Sequence, residues 1–320
     1  MKLIVVIPAY NEECSIGKVI KEIPRSFRSI KRVKILVVDD GSTDKTAKLA
    51  KSAGADYIIS NSQNQGLAFS FRKGLEKALK LGADIIVNID ADLQYNPKEI
   101  PRVVKPILEK KAEMVIGDRG IKKLSHMPRI KKIGNLLMTW VLRRFLGANI
   151  KDASSGFRAF SRECALKLNI YSNYTYTHET IIQCTFQKMR IENVPVEFKK
   201  RKYGNSRLIK TLWGHFKQCT STAVRISLMY SPFRTFLKIG TIGIFLGLIF
   251  WIRYLFFYFK SDKGAHIQSL LFGVILIIAG IQVIIMGFLA DIIDTNRKRQ
   301  EEVLYRIKRK EYEEKKQRKK

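Results

Sequence analysis

The sequence predicts an α/β fold: a mainly parallel sheet with helices on both faces, then an interfacial helix and a C-terminal two-helix transmembrane hairpin. Three observations predict it. Short β-branched runs alternate with helical stripes through residue 116, and apolar strands alternating with helices mean a parallel sheet covered on both sides. Polar clusters at residues 8–13, 39–44 and 90–94 each follow the end of such a run, and ligands of such sheets bind beyond the carboxyl ends of the strands. Two apolar segments, residues 239–259 and 267–293, are each long enough to cross a bilayer core as a helix.

The first run, residues 3–7, is compact and ends at Pro8-Ala9-Tyr10-Asn11-Glu12-Glu13, so it reads as a buried strand entering a loop. Ile16, Val19, Ile20 and Ile23 keep helical spacing until Pro24 stops it. A second strand over 33–38 ends at Asp39-Asp40-Gly41-Ser42-Thr43-Asp44, where Ser42 or Thr43 is expected to cap the helix through Ala47, Leu49 and Ala50. Residues 57–59 form a short third strand. A helix through Leu75, Ala78 and Leu79 precedes a fourth strand over 84–89 that ends at Asp90-Ala91-Asp92, and residues 114–116 form a fifth.

Beyond residue 205 the composition shifts. Leu208, Ile209, Leu212, Trp213 and Phe216 share a helical stripe while Lys210, Lys217 and Arg225 point elsewhere, which is the pattern of an interfacial helix over 206–236. The apolar segments follow within 237–293. Arg225, Arg234 and Lys238 precede them, and Arg297, Lys298 and Arg299 come after. The positive-inside rule therefore places both flanks, and residues 1–205 with them, in the cytoplasm. Gly243 and Gly247 form a GxxxG expected to pack the hairpin's own helices, with a homo-oligomer as the alternative use. The tail, 294–320, mixes basic and acidic residues and reads as a solvated cytoplasmic helix or a surface tether.

A formal net charge of +31 leaves three partners open: nucleic acid, an anionic membrane surface, or phosphate-bearing small molecules. The apolar segments favour the membrane, and no platform of interleaved aromatic and basic residues supports nucleic acid. Cys14, Cys164, Cys184 and Cys219 are scattered without a CxxC pair and are expected to be free thiols. The first apolar run is too short for a secretory leader.

The chemistry centres on Asp90-Ala91-Asp92-Leu93-Gln94. At a strand end, side chains 90, 92 and 94 can share one direction. Two carboxylates and an amide oxygen make a hard-oxygen set for Mg²⁺ or Mn²⁺, with water and a diphosphate filling the remaining positions. The aromatic ring of Tyr10 offers a surface for a base, the carboxylates beside it can accept from hydroxyls, and Gly41 permits close backbone approach.

PAYNE (8–12), VVDDGST (37–43), NQG (64–66), DADLQ (90–94) and GDR (117–119) stand in the order and spacing of family 2 glycosyltransferases with the GT-A fold. Over roughly residues 1–210 the chain most resembles dolichyl-phosphate mannose or glucose synthases and their bacterial polyprenyl-phosphate counterparts. The resemblance implies a GDP- or UDP-linked sugar as donor and a polyisoprenyl phosphate as acceptor. It implies that Pro8, Tyr10, Glu12, Val38 and Asp40 contact the nucleotide, and that Asp90, Asp92 and Gln94 hold a metal that neutralises the leaving diphosphate. Arg119, Arg129 and Asn135, with Lys131 and Lys132 nearby, correspond to a basic pocket for the acceptor phosphate. Arg201 and Arg207 correspond to a segment that closes over the donor diphosphate. Asp92, Asp152 and Glu179 are the candidate catalytic carboxylates. Glu179 stands where related enzymes place a general base, and a structural or sugar-orienting role is equally open. Its neighbour His178 reads as a satisfied polar residue.

One departure narrows the reaction. Processive synthases carry QxxRW after the catalytic carboxylate, whereas Gln187-Lys188-Met189-Arg190 is followed by Ile191. Single-sugar transfer is the expectation. The rivals are a transferase that extends a lipid-linked diphosphate oligosaccharide and a non-catalytic membrane scaffold that has kept the fold.

Overall fold

The structure, a computed structural model, describes the chain except residues 28, 31, 126, 172–175, 203–231, 261–266 and 318–320. Most of the expected interfacial helix, Arg207 among it, lies outside the described residues. The chain forms two compact units, residues 1–220 with 303–320, and residues 221–302.

The first unit is built on a seven-stranded sheet in the order β3-β2-β1-β4-β6-β5-β7. The strands are β1 (Lys2–Ala9), β2 (Arg32–Asp39), β3 (Tyr57–Ser60), β4 (Ile85–Asn88), β5 (Met114–Asp118), β6 (Arg158–Ser161) and β7 (Ile191–Pro195). All five expected strands form. Residues Leu3 to Ile7 of β1 are at most 1% exposed, because a central parallel strand covered on both faces has no solvent side and needs no polar alternation. Pro8 pairs in register with Val38 of β2, so the two lie side by side where the strands reach the first two loops.

The sheet is mixed. Strand β6 runs antiparallel to both β4 and β5, while β7 joins β5 in parallel. Neither strand was expected. Strand β6 is four residues long and carries Arg158, a residue that argues against a buried strand, yet Arg158 is fully buried. Its guanidinium donates to the carbonyl oxygens of Ala153, Ser155 and Thr177 and to Thr180 Oγ1, so the buried charge is met by oxygen dipoles.

The helices are α1 (Ile16–Glu22), α2 (Thr46–Ser52), α3 (Leu67–Lys80), α4 (Ile100–Leu108), α5 (Arg129–Leu146), α6 (Arg162–Lys167) and α7 (Thr177–Phe186). Helix α4 begins with Pro101 in its first turn, where a missing N–H costs nothing, and buries Ile100, Val103, Val104 and Ile107. Helix α2 corrects one expectation. Its first amide, Thr46 N–H, donates to Asp44 Oδ1, while Ser42 and Thr43 are used to tie loops together. Cys164 and Cys184 are free thiols that meet inside the unit, Sγ to Sγ 3.4 Å.

The second unit holds α8 (Pro232–Phe259) and most of α9 (Ile267–Gln317). Both are long and apolar enough to cross a membrane. Helix α8 starts inside the segment expected to be interfacial. A Cβ on Gly240 would lie 2.6 Å from Gly280 O, and one on Gly247 would lie 2.7 Å from Gly273 O. These reversed pairings show antiparallel helices whose backbones touch at glycine. Gly247 therefore packs the hairpin, as expected, with Gly240 as its main companion.

The end of α9 corrects the reading of the tail. Residues 303–320 group with the sheet unit, and Tyr312 is only 6% exposed. Aromatic residues on one face of a charged tail mark a docked helix, not a freely solvated one.

Candidate active site

The polar loops after β1, β2 and β4 do converge. Asn11 N–H donates to Ser42 Oγ at 2.9 Å, Thr43 N–H to Asn11 Oδ1 at 2.9 Å, and Glu12 N–H to Thr46 Oγ1 at 2.8 Å. Asn11 takes a positive φ of 51° to make this turn, which Asn tolerates better than most residues. Asp40 is only 4% exposed. Its carboxylate accepts from the amides of Gln65 and Gly66 and from Asn61 Nδ2. This is the physical link between VVDDGST and NQG. Asp40 organises the loop over 61–66. Gly41 has φ 73°, and a Cβ there would lie 2.6 Å from the Gln63 backbone, so only glycine lets the two loops close. Pro8 and Val38 are buried. Tyr10 and Glu12 are half-buried on the first loop.

Asp90 and Asp92 follow β4 in a turn beyond the strand end, with Leu93 at φ 62°. Gln94 Nε2 donates to Lys199 O, and Lys199 N–H donates back to Gln94 O at 2.8 Å. Gln94 thus fastens the chain at 199 to the turn through its amide nitrogen and its backbone, and these bonds do not use its side-chain oxygen. Burial, then the neighbouring charge of Asp92, pushes the Asp90 carboxyl up to about 7. Burial also raises Asp92. Two carboxylates held together at this cost are a donor pair that would suit a cation, since a divalent ion would remove both the repulsion and the desolvation penalty. Among the described residues no three His, Cys, Asp or Glu side chains are grouped to hold a metal ion. Mg²⁺ or Mn²⁺ fits that donor set.

Arg201 faces both carboxylate groups of the crevice. It pairs with Glu12 Oε1, and its Nη1 lies 3.9 Å from Asp92 Oδ2. Glu12 also accepts from Ser15 Oγ.

The loop 152–157 forms the facing wall. A Cβ on Gly156 would sit 2.6 Å from Asp90 Oδ2, so the motif's glycine lets this loop meet the carboxylate. Asn88 Nδ2 donates to Gly156 O at 2.9 Å, Gly156 N–H to Tyr95 Oη at 3.1 Å, and Tyr95 Oη lies 3.2 Å from Ser155 Oγ. Burial pushes the Tyr95 phenol up to about 12, so it remains a neutral brace. Asn88, Tyr95 and Arg158 were missed in the sequence because no motif flags them. Asn88 and Arg158 are signalled only by polarity inside apolar runs, and Tyr95 by nothing beyond its place after DADLQ.

Arg119 and Asp152 meet directly. Nε donates to Oδ2 at 2.6 Å and Nη2 to Oδ1 at 2.8 Å, with the two side chains 8% and 0% exposed. The guanidinium also lies over Phe198, 5.1 Å from the ring centroid. The fork expected to hold an acceptor phosphate is therefore occupied, and Asp152 is not a free base. Arg129 is exposed in the first turn of α5, and Asn135 is half-buried beside Met127. Glu179 opens α7 and accepts from Tyr171 N–H at 3.0 Å. His178 is buried with no hydrogen-bond partner for either ring nitrogen among the described residues, contrary to expectation, and burial pushes its pKa down to about 4. It is neutral at physiological pH.

The profile of the family described as Glycosyl transferase family 2 matches residues 4–168, just over half of the 320 residues. The chain is 33% identical over 223 residues to a UDP-N-acetylglucosamine–dolichyl-phosphate N-acetylglucosaminyltransferase of Methanococcus voltae, covering 63% of this chain and 87% of that one. It is 29% identical to an undecaprenyl-phosphate 4-deoxy-4-formamido-L-arabinose transferase of Pectobacterium atrosepticum over 90% of this chain and 87% of that one. Among solved structures it resembles glucosyl-3-phosphoglycerate synthase of Mycobacterium tuberculosis in complex with Mn²⁺, UDP-glucose and phosphoglyceric acid. That match has a TM-score of 0.55 and 26% identity and covers 70% and 79% of the two chains. With the loops of PAYNE, VVDDGST and DADLQ gathered in one crevice, and that profile spanning the strands which carry them, this chain belongs to glycosyl transferase family 2.

Proposed function

We propose that the chain transfers a single hexose, mannose or glucose, from a GDP- or UDP-linked donor to a polyisoprenyl phosphate. The observation that carries the reading is the Asp90–Asp92 pair facing Arg201 across one crevice. A bound Mg²⁺ or Mn²⁺ would be held by these carboxylates and would supply charge neutralisation for the departing diphosphate. An oxygen of the acceptor phosphate forms a bond to the anomeric carbon as the bond from that carbon to the diphosphate breaks, and the electron pair leaves with the nucleoside diphosphate. A phosphate monoester has a second pKa near 6, so the acceptor is an anion at neutral pH and needs positioning more than a base. Asp152, held by Arg119, then serves as architecture, and Glu179 orients the sugar or the acceptor.

The lipid character of the acceptor is supported by the two apolar helices and by α5. Ile130, Ile133, Leu137 and Trp140 of α5 form a solvent-exposed stripe, and no acidic residue occurs from 119 to 151, a stretch rich in Lys and Arg. An apolar stripe among cations suits an anionic lipid surface. Arg234 and Lys238 before the hairpin, with Arg297 to Arg299 after it, support a cytoplasmic sheet unit and cytoplasmic termini by the positive-inside rule. Purified full-length protein given a panel of radiolabelled nucleotide-sugars and polyprenyl phosphate should put label into an organic-extractable lipid that mild acid releases. Label appearing only in water-soluble product, or only on lipid-linked diphosphate saccharides, would refute the assignment.

Arg201→Ala tests the donor side. Its ion pairs are partly exposed, so thermal unfolding should barely move. The KM for nucleotide-sugar should rise about thirtyfold, the equivalent of about 2 kcal/mol for a charge-assisted contact to the diphosphate. An unchanged donor KM would remove Arg201 from the diphosphate.

A further inference from the structure

The docked end of α9 reaches the link between α6 and α7. Tyr305, Lys308 and Tyr312 lie three and four residues apart, on one helical face. Tyr305 Oη donates to Glu163 Oε2 at 2.9 Å, and Lys167 Nζ lies 5.4 Å from its ring centroid. Arg162 Nη1 donates to Tyr312 Oη at 3.1 Å, with the guanidinium 5.0 Å from that ring's centroid, and also donates to Asp84 Oδ1. The two tyrosines thus grip α6 from either side of Lys308. Between them Lys308 Nζ donates to Leu168 O at 3.1 Å and Asn169 Oδ1 at 2.8 Å. Burial lowers the lysine's pKa, and Glu76 counteracts that. An ammonium is not desolvated without cause, and here the cause is a pair of oxygens on the link between α6 and α7.

That link is held from its other side by α7. Asn169 N–H donates to Gln183 Oε1 at 2.9 Å, Gln183 Nε2 donates to Asn169 O, and Tyr171 N–H donates to Glu179 Oε1 at 3.0 Å. Gln183 and Glu179 are one helical turn apart and meet the same short strap. Leu168, Asn169 and Ile170 are each at most 7% exposed while Tyr171 is 55% exposed, so the buried first three residues have little freedom to absorb a shift and pass it to the Tyr171 amide.

We infer that Lys308, on the C-terminal helix, is a positioning residue for Glu179, acting through the strap of residues 168–171. The terminal helix thereby completes the active site of its own chain. The inference rests on the reading of Glu179 as the group that orients the sugar or acceptor.

The test uses the full-length protein and four variants: Lys308→Met, Lys308→Arg, Glu179→Gln and the double variant Lys308→Met/Glu179→Gln. Hydrogen exchange at residues 168–171 should accelerate in Lys308→Met. Its kcat should fall about tenfold, the effect of a small misplacement, with the KM for nucleotide-sugar unchanged. Lys308→Arg should recover part of the rate. In the Glu179→Gln background Lys308→Met should cost little more, because the two act on one path. Additive losses, unchanged exchange, or a loss expressed in donor KM would overturn the inference. If wild-type protein transfers to an acceptor other than a lipid phosphate, the reading above falls, and the same kinetics with that acceptor decide the role of Lys308.

Discussion

Asp92→Asn should abolish sugar transfer and, in the absence of divalent cation at pH 8, should unfold at a higher temperature than the wild-type chain. The loss of activity should be about a thousandfold or more, the scale on which a preorganised charge contact acts in a reacting site. The gain in stability follows from the sign of the Asp90 shift. Burial and the charge of Asp92 raise the Asp90 carboxyl from 3.8 to about 7. A group that binds its proton more tightly in the native state contributes its full stability below the unfolded pKa, and that contribution is lost as pH rises through about 7. Removing the Asp92 charge lets Asp90 ionise with less repulsion, so the loss should shrink. Mn²⁺ should stabilise the wild-type protein by mass action and leave the variant nearly untouched. Thermal unfolding at pH 5 and pH 8, with EDTA and with Mn²⁺, reads all of this alongside the transfer assay. Residual activity close to wild type, or a variant less stable at pH 8 in EDTA, would show that the two carboxylates are not a strained cation site.

The first half of the sheet was legible because its strands are buried on both faces and announce themselves as β-branched runs. The loops after them were legible because crevice residues are polar in places where a strand has just ended. The second half was not. Strand β6 has Arg158 where a run would need an aliphatic residue, and the carbonyl oxygens that make this tolerable come from residues 153–177, which no local pattern connects to it. Asp40 shows the same limit within a correctly placed motif. Its position in the crevice follows from sequence, but its three partners at 61–66 exist only after the loops fold together. Arg119 and Asp152 were each identified and assigned separate tasks, since nothing 33 residues apart in sequence reveals that one side chain consumes the other. The tail was misread for a related reason: charge density predicts solvation, and three residues on one face decide docking.

The Arg119–Asp152 pair changes what Arg119→Ala should do. As an exposed phosphate ligand, Arg119 would cost only acceptor affinity when truncated. In this structure truncation leaves the fully buried Asp152 carboxylate without its fork. Breaking one partner of a buried pair typically costs about 3–5 kcal/mol, a large fraction of the stability of a domain of this kind. Arg119→Ala should therefore lower the unfolding temperature strongly and lose activity with both substrates. Arg119→Lys should fall between, since charge returns but the two-pronged contact does not. The double variant Arg119→Met/Asp152→Asn should recover much of the stability, because neither partner is then left charged and alone. Any acceptor role must run through the N–H groups not given to Asp152, on Nη1 and the second of Nη2. In the refolded double variant that contact is gone while the donor side, Glu12, Asp92 and Arg201, is intact. Its KM for polyprenyl phosphate should then rise about thirtyfold, for a contact worth about 2 kcal/mol, with the nucleotide-sugar KM unchanged. An Arg119→Ala protein as stable as wild type would contradict the buried pair. A double variant with normal acceptor KM would move the phosphate site to Arg129, Lys131 and Lys132 on the first turn of α5.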